Sequence, residues 1–301
     1  MTALVVVRTG ALALVVDRGR PGWAHIGVPH AGALDAPALA LAQRLVGNDP
    51  DAAGLEVLLG GLALRCEGPA TVAVTGPPGA LGVETGGRRR RSVGTHQPVH
   101  LGDGDVLVLD PPTSGLRHYV AVAGGLALEP LLGSRSADTL SGLGPAPLRA
   151  DDRLPVGPAP ARVVAPGPVG VSAVADHVDV PLLLGPREAW IADAADALRR
   201  TVWTVAPSGD RVGVRLDDEP LRRADAVAGQ ELRSEGLVLG AVQVPPDGRP
   251  VVFLADHPTT GGYPVVGVVE PGALPAFAQA RPGTTVRLVP HASPRPGVAT
   301  S

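Results

Sequence analysis

The chain has 301 residues and a net charge of −3, and 45% of its residues are hydrophobic but only 2% are aromatic. This composition lacks the basic and aromatic signature of nucleic-acid-binding proteins, and no apolar run reaches the roughly 18 residues of a membrane span. All 26 basic residues are arginine, which excludes a P-loop lysine, a Schiff base and a biotinylated lysine. The single cysteine, Cys66, excludes an intrachain disulfide and is typical of a cytoplasmic protein.

Glycine and proline, with 40 and 33 residues, lie between short apolar runs. This pattern favours a turn-rich, mainly β fold over a disordered chain. The runs at residues 4–7 and 11–16 predict the first two strands. Because Arg8 interrupts the apolar stretch and no small-residue cleavage site follows, we expect no signal peptide.

The segment that follows the second strand, residues 16–35, is rich in glycine and in polar side chains. Its charged and imidazole residues are Asp17, Arg18, Arg20, His25 and His30. They could hold an anion, or they could form a surface turn with an ordinary ion pair, which contributes little stability.

A helix is predicted from Asp35 to about Val46, because Asp35 is a good N-cap and the Gly-Asn pair at 47–48 ends a helix. Residues 55–64 and 71–75 then predict a pair of strands.

Two polar segments in the first half each leave two interpretations open. The four arginines at 88–91 predict a solvated hairpin tip, or a contact for a phosphate or a partner. Residues 133–138, with Ser134, Arg135 and Ser136, suit a nest for an anion or a turn whose serines bond within the loop.

Residues 144–180 are rich in Pro, Gly and Ala and predict a linker. We place the domains at 1–178 and 179–301, with a crossover segment at about 111–178 that could complete the second domain. A helix is predicted over 188–200, where apolar residues recur at helical spacing.

The two halves of the chain echo each other at an offset of 180 residues, as in residues 60–64 and 240–244. The segment from Arg20 to Gly22 has a counterpart in the segment from Arg211 to Gly213. This repeat indicates two similar β-barrels that arose by duplication.

Residues 243–264 are the most informative stretch for function. They predict a strand, a Pro-Pro-Asp-Gly turn, a second strand and then a loop of polar and glycine residues. Binding groups concentrate in such loops, because a rigid scaffold holds them at the surface. The alternative is a tight turn that only needs its glycines.

A series of short motifs, in this order, resembles one protein family. The motifs are DRGRPGWAHIGVP (17–29), GALD (32–35), LVGND (45–49), LEV (55–57), AVAGG (121–125), GSRSAD (133–138), GDRVGVRL (209–216), SEG (234–236), GAVQVPPDGRP (240–250) and TTGGYP (259–264). Through them the chain resembles the KipA-like family, also called the biotin-dependent carboxyltransferase or 5-oxoprolinase (PxpC) family. The resemblance implies two cyclophilin-like β-barrel domains related by duplication, with a few short helices.

The resemblance also implies a function. It points to an ATP-dependent 5-oxoprolinase complex that opens 5-oxo-L-proline (pyroglutamate) to L-glutamate, with KipI-like and LamB/YcsF-like subunits as partners. ATP would be bound by the complex, and not necessarily by this chain. The chain departs from the family at 23–24, Ala31 and 257–258, where the family usually has Tyr-Gln, Ser and Arg-Gln.

A five-membered lactam is stabilised by resonance, so its hydrolysis needs cations, a general base and donors for the developing oxyanion. The candidate bases are Asp256, His257 and His25. The candidate anion-binding residues are Arg20, Arg211 and Arg215, because a guanidinium grips a carboxylate at two points. The other candidate substrate-binding residues are Ser234, Gln243, Thr259, Thr260, Gly261, Gly262 and Tyr263. The histidines are too scattered to predict a metal site.

Three alternatives stay open. The first is carboxyl transfer from carboxybiotin to urea, in which case the biotin must arrive on another protein. The second is a non-catalytic protein that antagonises a KipI-like inhibitor of a sensor kinase. The third is a β-barrel scaffold whose motifs only hold its turns. We expect a small anionic substrate, no nucleic acid, no membrane and a cytoplasmic location.

Overall fold

The computed structural model describes residues 2–87, 89–160 and 175–291, without the side chain of Arg89. The chain divides into two compact units. The first comprises Met1–Trp23 and Pro29–Val174, and the second comprises Ala24–Val28 and Ala175–Ser301. Among the described residues, no helix is long and apolar enough to cross a membrane.

The first unit is built from two antiparallel sheets. Its strands are β1 (Ala3–Thr9), β2 (Leu12–Val16), β3 (Gly54–Leu58), β4 (Leu62–Glu67), β5 (Ala70–Thr75), β6 (Leu81–Thr85), β7 (Arg89–Val93), β8 (Pro98–Leu101), β9 (Val106–Leu109), β10 (Arg117–Val122) and β11 (Arg153–Pro155). The six-stranded sheet has the order β11-β1-β4-β9-β6-β7, and the five-stranded sheet has the order β2-β3-β10-β5-β8. The sheets share one apolar core, in which Leu4 and Leu64 of one meet Leu55 and Val120 of the other.

The predicted first helix is confirmed as α1 (Ala36–Leu45). Asp35 caps it, since its Oδ1 accepts a hydrogen bond from the Ala38 N–H at 3.0 Å. Leu39 of this helix packs against Tyr119 on the outer face of the five-stranded sheet.

The second unit contains a closed seven-stranded barrel. The strands of this unit are β12 (His177–Leu184), β13 (Trp203–Val205), β14 (Gly213–Asp217), β15 (Glu235–Gly236), β16 (Ala241–Gln243), β17 (Val251–Phe253), β18 (Thr260–Gly261), β19 (Val265–Val269) and β20 (Thr285–His291). The barrel order is β12-β19-β16-β17-β14-β13-β20, and the parallel pair β12–β20 closes it. Strands β15 and β18 form a separate two-stranded ribbon. The mainly β fold is therefore confirmed.

The domain expectations need two corrections. Residues 111–160 do not complete the second barrel, because β10 pairs with β3 and β5, and β11 pairs with β1, all within the first unit. The segment Ala24–Val28 joins the second unit instead. The predicted boundary after residue 178 falls inside β12, and residues 161–174 of the predicted linker lie outside the described residues.

Two predicted elements are interrupted. The predicted strand 55–64 is β3 and β4, which a turn at Leu59 (φ 56°) sends into different sheets. The predicted helix 188–200 is a 3-10 turn, Glu188–Trp190, followed by α2 (Ala194–Arg200). The helix breaks between them because Ile191 forms a β-bridge with Arg223. A further helix, α3 (Leu274–Gln279), follows β19.

The arginine run lies on a hairpin, as predicted, but beyond its tip. Strands β6 and β7 pair, and β7 is the edge of its sheet. Arg90 forms an ion pair with Asp110, and Arg91 donates to the His100 carbonyl at 2.8 Å. Arg88 lies outside the described residues.

Candidate functional site

The predicted hairpin and loop of residues 243–264 form one wall of the second unit. Strands β16 and β17 pair with Val242 opposite Val252. The loop that follows β17 returns to the barrel at β19, where Val244 donates to the Pro264 carbonyl at 3.0 Å. Most of the predicted site residues lie in this loop or beside it.

Arg211, just before β14, and Asp256, just after β17, form a buried ion pair. Arg211 donates through Nε to Asp256 Oδ2 at 2.9 Å and through Nη2 to Asp256 Oδ1 at 3.0 Å. The backbone brings them together, because the Asp256 N–H donates to the Arg211 carbonyl at 3.0 Å. Arg211 is 2% exposed and Asp256 is 0% exposed. A predicted cation and a predicted base therefore bind each other.

His257 follows Asp256 and is also buried. Its Nδ1 lies 2.7 Å from the Pro258 carbonyl oxygen. A carbonyl only accepts hydrogen bonds, so Nδ1 carries a proton, and in the neutral form of the ring Nε2 is the basic nitrogen. The ring also contacts Phe253 in a tilted arrangement, with centroids 6.3 Å apart.

Gln243 and Gly261 fit together closely. The Gln243 side-chain amide donates to the Tyr263 carbonyl at 3.0 Å. A Cβ at position 261 would lie 2.6 Å from Gln243 Nε2 and 2.9 Å from Leu237 Cδ1. A side chain at position 261 would therefore displace the Gln243 amide, which binds the backbone of the loop, and the end of the Leu237 side chain. Position 262 is different, since a Cβ there would meet nothing closer than the Leu232 carbonyl oxygen at 3.6 Å.

The remaining loop residues present polar groups toward the surface. Thr260, Tyr263 and Ser234 are exposed, and Thr259 is half-buried. The Thr259 carbonyl accepts a hydrogen bond from the Leu237 N–H at 2.9 Å. The structure thus brings together Ser234, Gln243 and residues 259–263 around the β15–β18 ribbon.

Three predicted residues lie elsewhere. Arg215 alternates on β14 with the buried Val214 and Leu216, so its side chain points to the other face of the strand. It forms an exposed ion pair with Asp247 at 2.9 Å. His25 is exposed on a short 3-10 helix, Ala24–Ile26.

The third, Arg20, lies in the first unit and is 1% exposed. Its Nη2 donates to the Ser136 carbonyl and its Nε to the Leu131 carbonyl at 3.5 Å. Its Nη1 has no hydrogen-bond partner among the residues that the structure describes. The carbonyl contacts make Arg20 a support of the loop at 131–136.

The Ser-Arg-Ser loop of the first unit binds the chain's own carboxylate. Asp17 Oδ1 accepts hydrogen bonds from the Ser134 hydroxyl at 2.6 Å, the Ser136 hydroxyl at 2.7 Å and the Gly19 N–H at 2.8 Å. Asp17 Oδ2 accepts from the Arg135 N–H at 2.5 Å. Both interpretations of this segment hold in part: the loop binds a carboxylate, which is the chain's own Asp17, and the Ser136 N–H also donates to the Ser134 hydroxyl within the loop at 2.9 Å.

No group of three or more His, Cys, Asp or Glu residues suited to a metal occurs in the described parts of the chain. Cys66 is buried, and burial with nearby Asp103 and Asp105 raises the pKa of its thiol to about 11. Because the thiolate is the reactive form, Cys66 is not a candidate nucleophile.

The sequence analysis missed an ion pair beside the ribbon. Arg187 donates through Nε to Glu235 Oε2 at 3.1 Å and also through Nη2 to Oε1. The only sequence signal was the position of Glu235 in the motif at 234–236. Nothing in the sequence connects it to Arg187, which lies 48 residues away.

Comparison with known proteins places the chain in a family. The family described as "Carboxyltransferase domain, subdomain A and B" matches residues 26–290. A 5-oxoprolinase subunit of Escherichia coli K12 is 34% identical over 290 residues, which cover 95% of this chain and 90% of that protein.

Two solved structures agree with this assignment. The crystal structure of TTHA0988 is 37% identical with a TM-score of 0.83, and the match covers 96% of this chain and 55% of that chain. The urea carboxylase of Kluyveromyces lactis is 26% identical with a TM-score of 0.86, and the match covers 96% of this chain and 27% of that chain. The chain therefore belongs to the carboxyltransferase-domain family, in which its similarity extends to a subunit of 5-oxoprolinase.

Proposed function

We propose that this chain is the PxpC-type subunit of an ATP-dependent 5-oxoprolinase complex that hydrolyses 5-oxo-L-proline to L-glutamate. The observation that carries the proposal is the match to the E. coli 5-oxoprolinase subunit over nearly the whole of both proteins. By contrast, the match to the K. lactis urea carboxylase covers only 27% of that chain. The proposed partners are KipI-like and LamB/YcsF-like subunits.

ATP is assigned to the partner subunits. The chain has no lysine, and three arginines of the second unit are already paired with carboxylates. These pairs are Arg211 with Asp256, Arg215 with Asp247, and Arg187 with Glu235. We therefore assign ATP to the partner subunits, and the lactam with its carboxylate, which hydroxyl groups can bind, to this chain; no step here uses ATP.

The geometry of the second unit supports separate roles for the predicted bases. Both oxygens of Asp256 accept hydrogen bonds from Arg211, so Asp256 is assigned the positioning of the loop end and not proton transfer. His257 is assigned the proton transfer, through Nε2. His25 stays a candidate base from the sequence alone.

The surface of the loop supplies the proposed substrate contacts. Thr260 and Tyr263 are exposed residues whose hydroxyls can donate to the substrate carboxylate, and Ser234 lies on the neighbouring segment. The backbone around Gly261 can approach a ligand closely because it carries no side chain. Hydrogen-bond donors at the reacting carbonyl, such as the N–H groups of this backbone, stabilise the oxyanion that forms when water attacks the lactam carbonyl.

The proposal is tested by co-expressing this chain with the two partner subunits. We expect phosphate release and glutamate formation that both depend on 5-oxo-L-proline and on the presence of this chain. Absence of glutamate formation in a complex that assembles would remove the proposal.

Two neighbouring glycines provide a matched pair of variants. Gly261→Ala should raise the KM for 5-oxo-L-proline by roughly tenfold, because its Cβ would displace the Gln243 amide and shift the loop. Gly262→Ala should leave KM within about twofold, since a Cβ there has ordinary contacts. Equal effects of the two variants would argue against a substrate-binding loop.

A second candidate function is carboxyl transfer from carboxybiotin to urea. The similarity to the K. lactis urea carboxylase, with a TM-score of 0.86, favours it. Biotin would arrive on another protein, because this chain has no lysine to carry it. Transfer of labelled carboxylate from a biotinylated carrier protein to urea, in place of glutamate formation, would decide for this function.

A further inference from the structure

A two-residue ribbon fastens the proposed substrate loop on one side. Strand β18 lies within the loop and pairs with β15, with Glu235 opposite Gly261 and Gly236 opposite Thr260. One further backbone bond joins Leu237 to Thr259. A two-stranded ribbon of this length is marginal by itself, so its position depends on what holds β15.

The pair of Arg187 and Glu235 holds β15 to the barrel. The guanidinium contacts both carboxylate oxygens of Glu235. The Arg187 backbone N–H donates to the carbonyl of Val265, the first residue of β19, at 3.3 Å. The barrel is thereby connected, through one side-chain pair, to the residue that lies opposite Gly261.

The other side of Gly261 faces the Gln243 amide, which binds the Tyr263 carbonyl. Two polar contacts therefore hold the loop, in addition to the packing of Leu237, which follows β15, in one apolar cluster with Ala241 and Phe253 of the barrel. The amide comes from barrel strand β16, and the ribbon is held by the ion pair. We expect loss of either polar contact to let the backbone at 259–263 move relative to the barrel.

The small contribution that the ion pair of Arg187 and Glu235 makes to global stability favours a role in positioning the loop. Arg187 and Glu235 have side-chain exposures of 36% and 34%, and pairs as exposed as this contribute little to the free energy of unfolding. A two-point contact between a guanidinium and a carboxylate nevertheless fixes distance and direction. Hydrogen bonds from Arg187 also lower the pKa of Glu235, so the carboxylate stays charged at neutral pH.

We propose that Arg187 and Glu235 are positioning residues that hold the loop at 259–263 in the geometry that binds substrate. The expected effect on substrate binding rests on the proposed function. The attachment of the loop to the barrel can be measured without an activity assay.

Hydrogen exchange of the full chain tests the holding of the loop. Glu235→Gln and Arg187→Lys should each speed exchange in peptides covering 259–263 by about fivefold, while barrel peptides stay unchanged. The double charge reversal of Arg187→Glu and Glu235→Arg should restore slow exchange. Unchanged exchange at 259–263 in both single variants would overturn the proposal.

The chain offers a matched control pair. Arg287 donates through Nε and Nη2 to Asp179 at 2.9 and 2.6 Å, with side-chain exposures of 41% and 47%. This pair joins β20 to β12 and does not contact the loop. Asp179→Asn should leave exchange at 259–263 unchanged, and an effect equal to that of Glu235→Gln would overturn the proposal.

Kinetics of the assembled complex test the catalytic consequence. Glu235→Gln should raise the KM for 5-oxo-L-proline at least about fivefold while the Tm shifts by less than about 2 °C. Faster exchange with an unchanged KM would overturn the positioning role. If the wild-type complex forms no glutamate, the proposed function fails, and the exchange experiment still decides whether the pair holds the loop.

Discussion

Arg20 and Arg211, which the sequence repeat aligns, are both buried but are bound in different ways. In the second unit, Arg211 donates two hydrogen bonds to the carboxylate of Asp256. In the first unit, Arg20 donates to backbone carbonyls, and no carboxylate of the described residues forms an ion pair with it. At these two aligned positions, therefore, a buried arginine is held by different chemistry, although the first unit also contains a buried ion pair, Arg117 with Glu56.

The carboxylates show the same contrast. Asp256 binds a guanidinium, whereas Asp17 binds two serine hydroxyls and two backbone N–H groups. A buried charge must be either paired or surrounded by oriented dipoles. The aligned Arg20 and Arg211 thus share a residue type without sharing contacts, so a role cannot be transferred between these two positions.

The largest expected effect comes from breaking the buried pair. Asp256→Ala should lower the free energy of unfolding by about 3–5 kcal/mol, because it leaves the Arg211 charge without this carboxylate. Replacing both residues, Arg211→Met with Asp256→Leu, should recover much of the loss. Chemical denaturation measures both changes. A loss below about 1 kcal/mol in the single variant would contradict the pairing.

Acid should weaken the first unit through His118. Burial lowers the pKa of this histidine from 6.5 to about 4. Between these two pH values the unfolded chain therefore binds a proton at His118 that the folded chain does not bind. The stabilisation is complete above pH 6.5 and is lost as the pH falls towards 4, by about 3 kcal/mol in total. His118→Gln should remove this part of the pH dependence. Denaturation at pH 7 and at pH 4.5 measures this change. An equal loss of unfolding free energy between the two pH values in variant and wild type would contradict the assignment.

Substitution of Asp17, which is bound by neutral donors, should destabilise the protein less than substitution of Asp256, which is paired with an arginine. Asp17→Asn keeps one carbonyl oxygen but turns an NH₂ group toward donors, which should cost about 2 kcal/mol of unfolding free energy. Ser134→Ala with Ser136→Ala should cost a similar amount, since both hydroxyls bind Asp17. A loss as large as that of Asp256→Ala would remove the contrast between the units.

The smallest effect is expected at the exposed pair formed by Arg215 of β14, the strand that follows Arg211. Asp247→Ala breaks the contact with Arg215, and both side chains are more than one third exposed. Water replaces the partner, so unfolding free energy should fall by less than about 1 kcal/mol. A larger loss of unfolding free energy would mean that solvent exposure does not explain why the pair of Arg215 and Asp247 contributes less to stability than the buried pair of Arg211 and Asp256.

Much of the local structure was predictable from the sequence. The cap at Asp35 and the helix that follows, and the turn between β16 and β17, depend on residues that are near one another in the chain. The break between residues 191 and 193 was not predictable, because it depends on a bridge to Arg223.

The candidate site was predictable only as a set of residues. The loop at 256–263 was identified from its polar residues and glycines, and the structure places most of the set around it. The pairing of Arg211 with Asp256, and the exposure of Arg215 to the other face, required the register of β14 and β17. The contribution of Arg187 had no signal in the sequence.

Composition and short ordered motifs are local properties, and they were enough to establish a mainly β chain, its family and the exclusion of lysine chemistry. Which charges meet could be read only from the folded chain. Asp17 binds serines more than 115 residues away, and Asp256 binds an arginine 45 residues away. Such contacts follow from the pairing of distant strands, and no local pattern specifies that pairing.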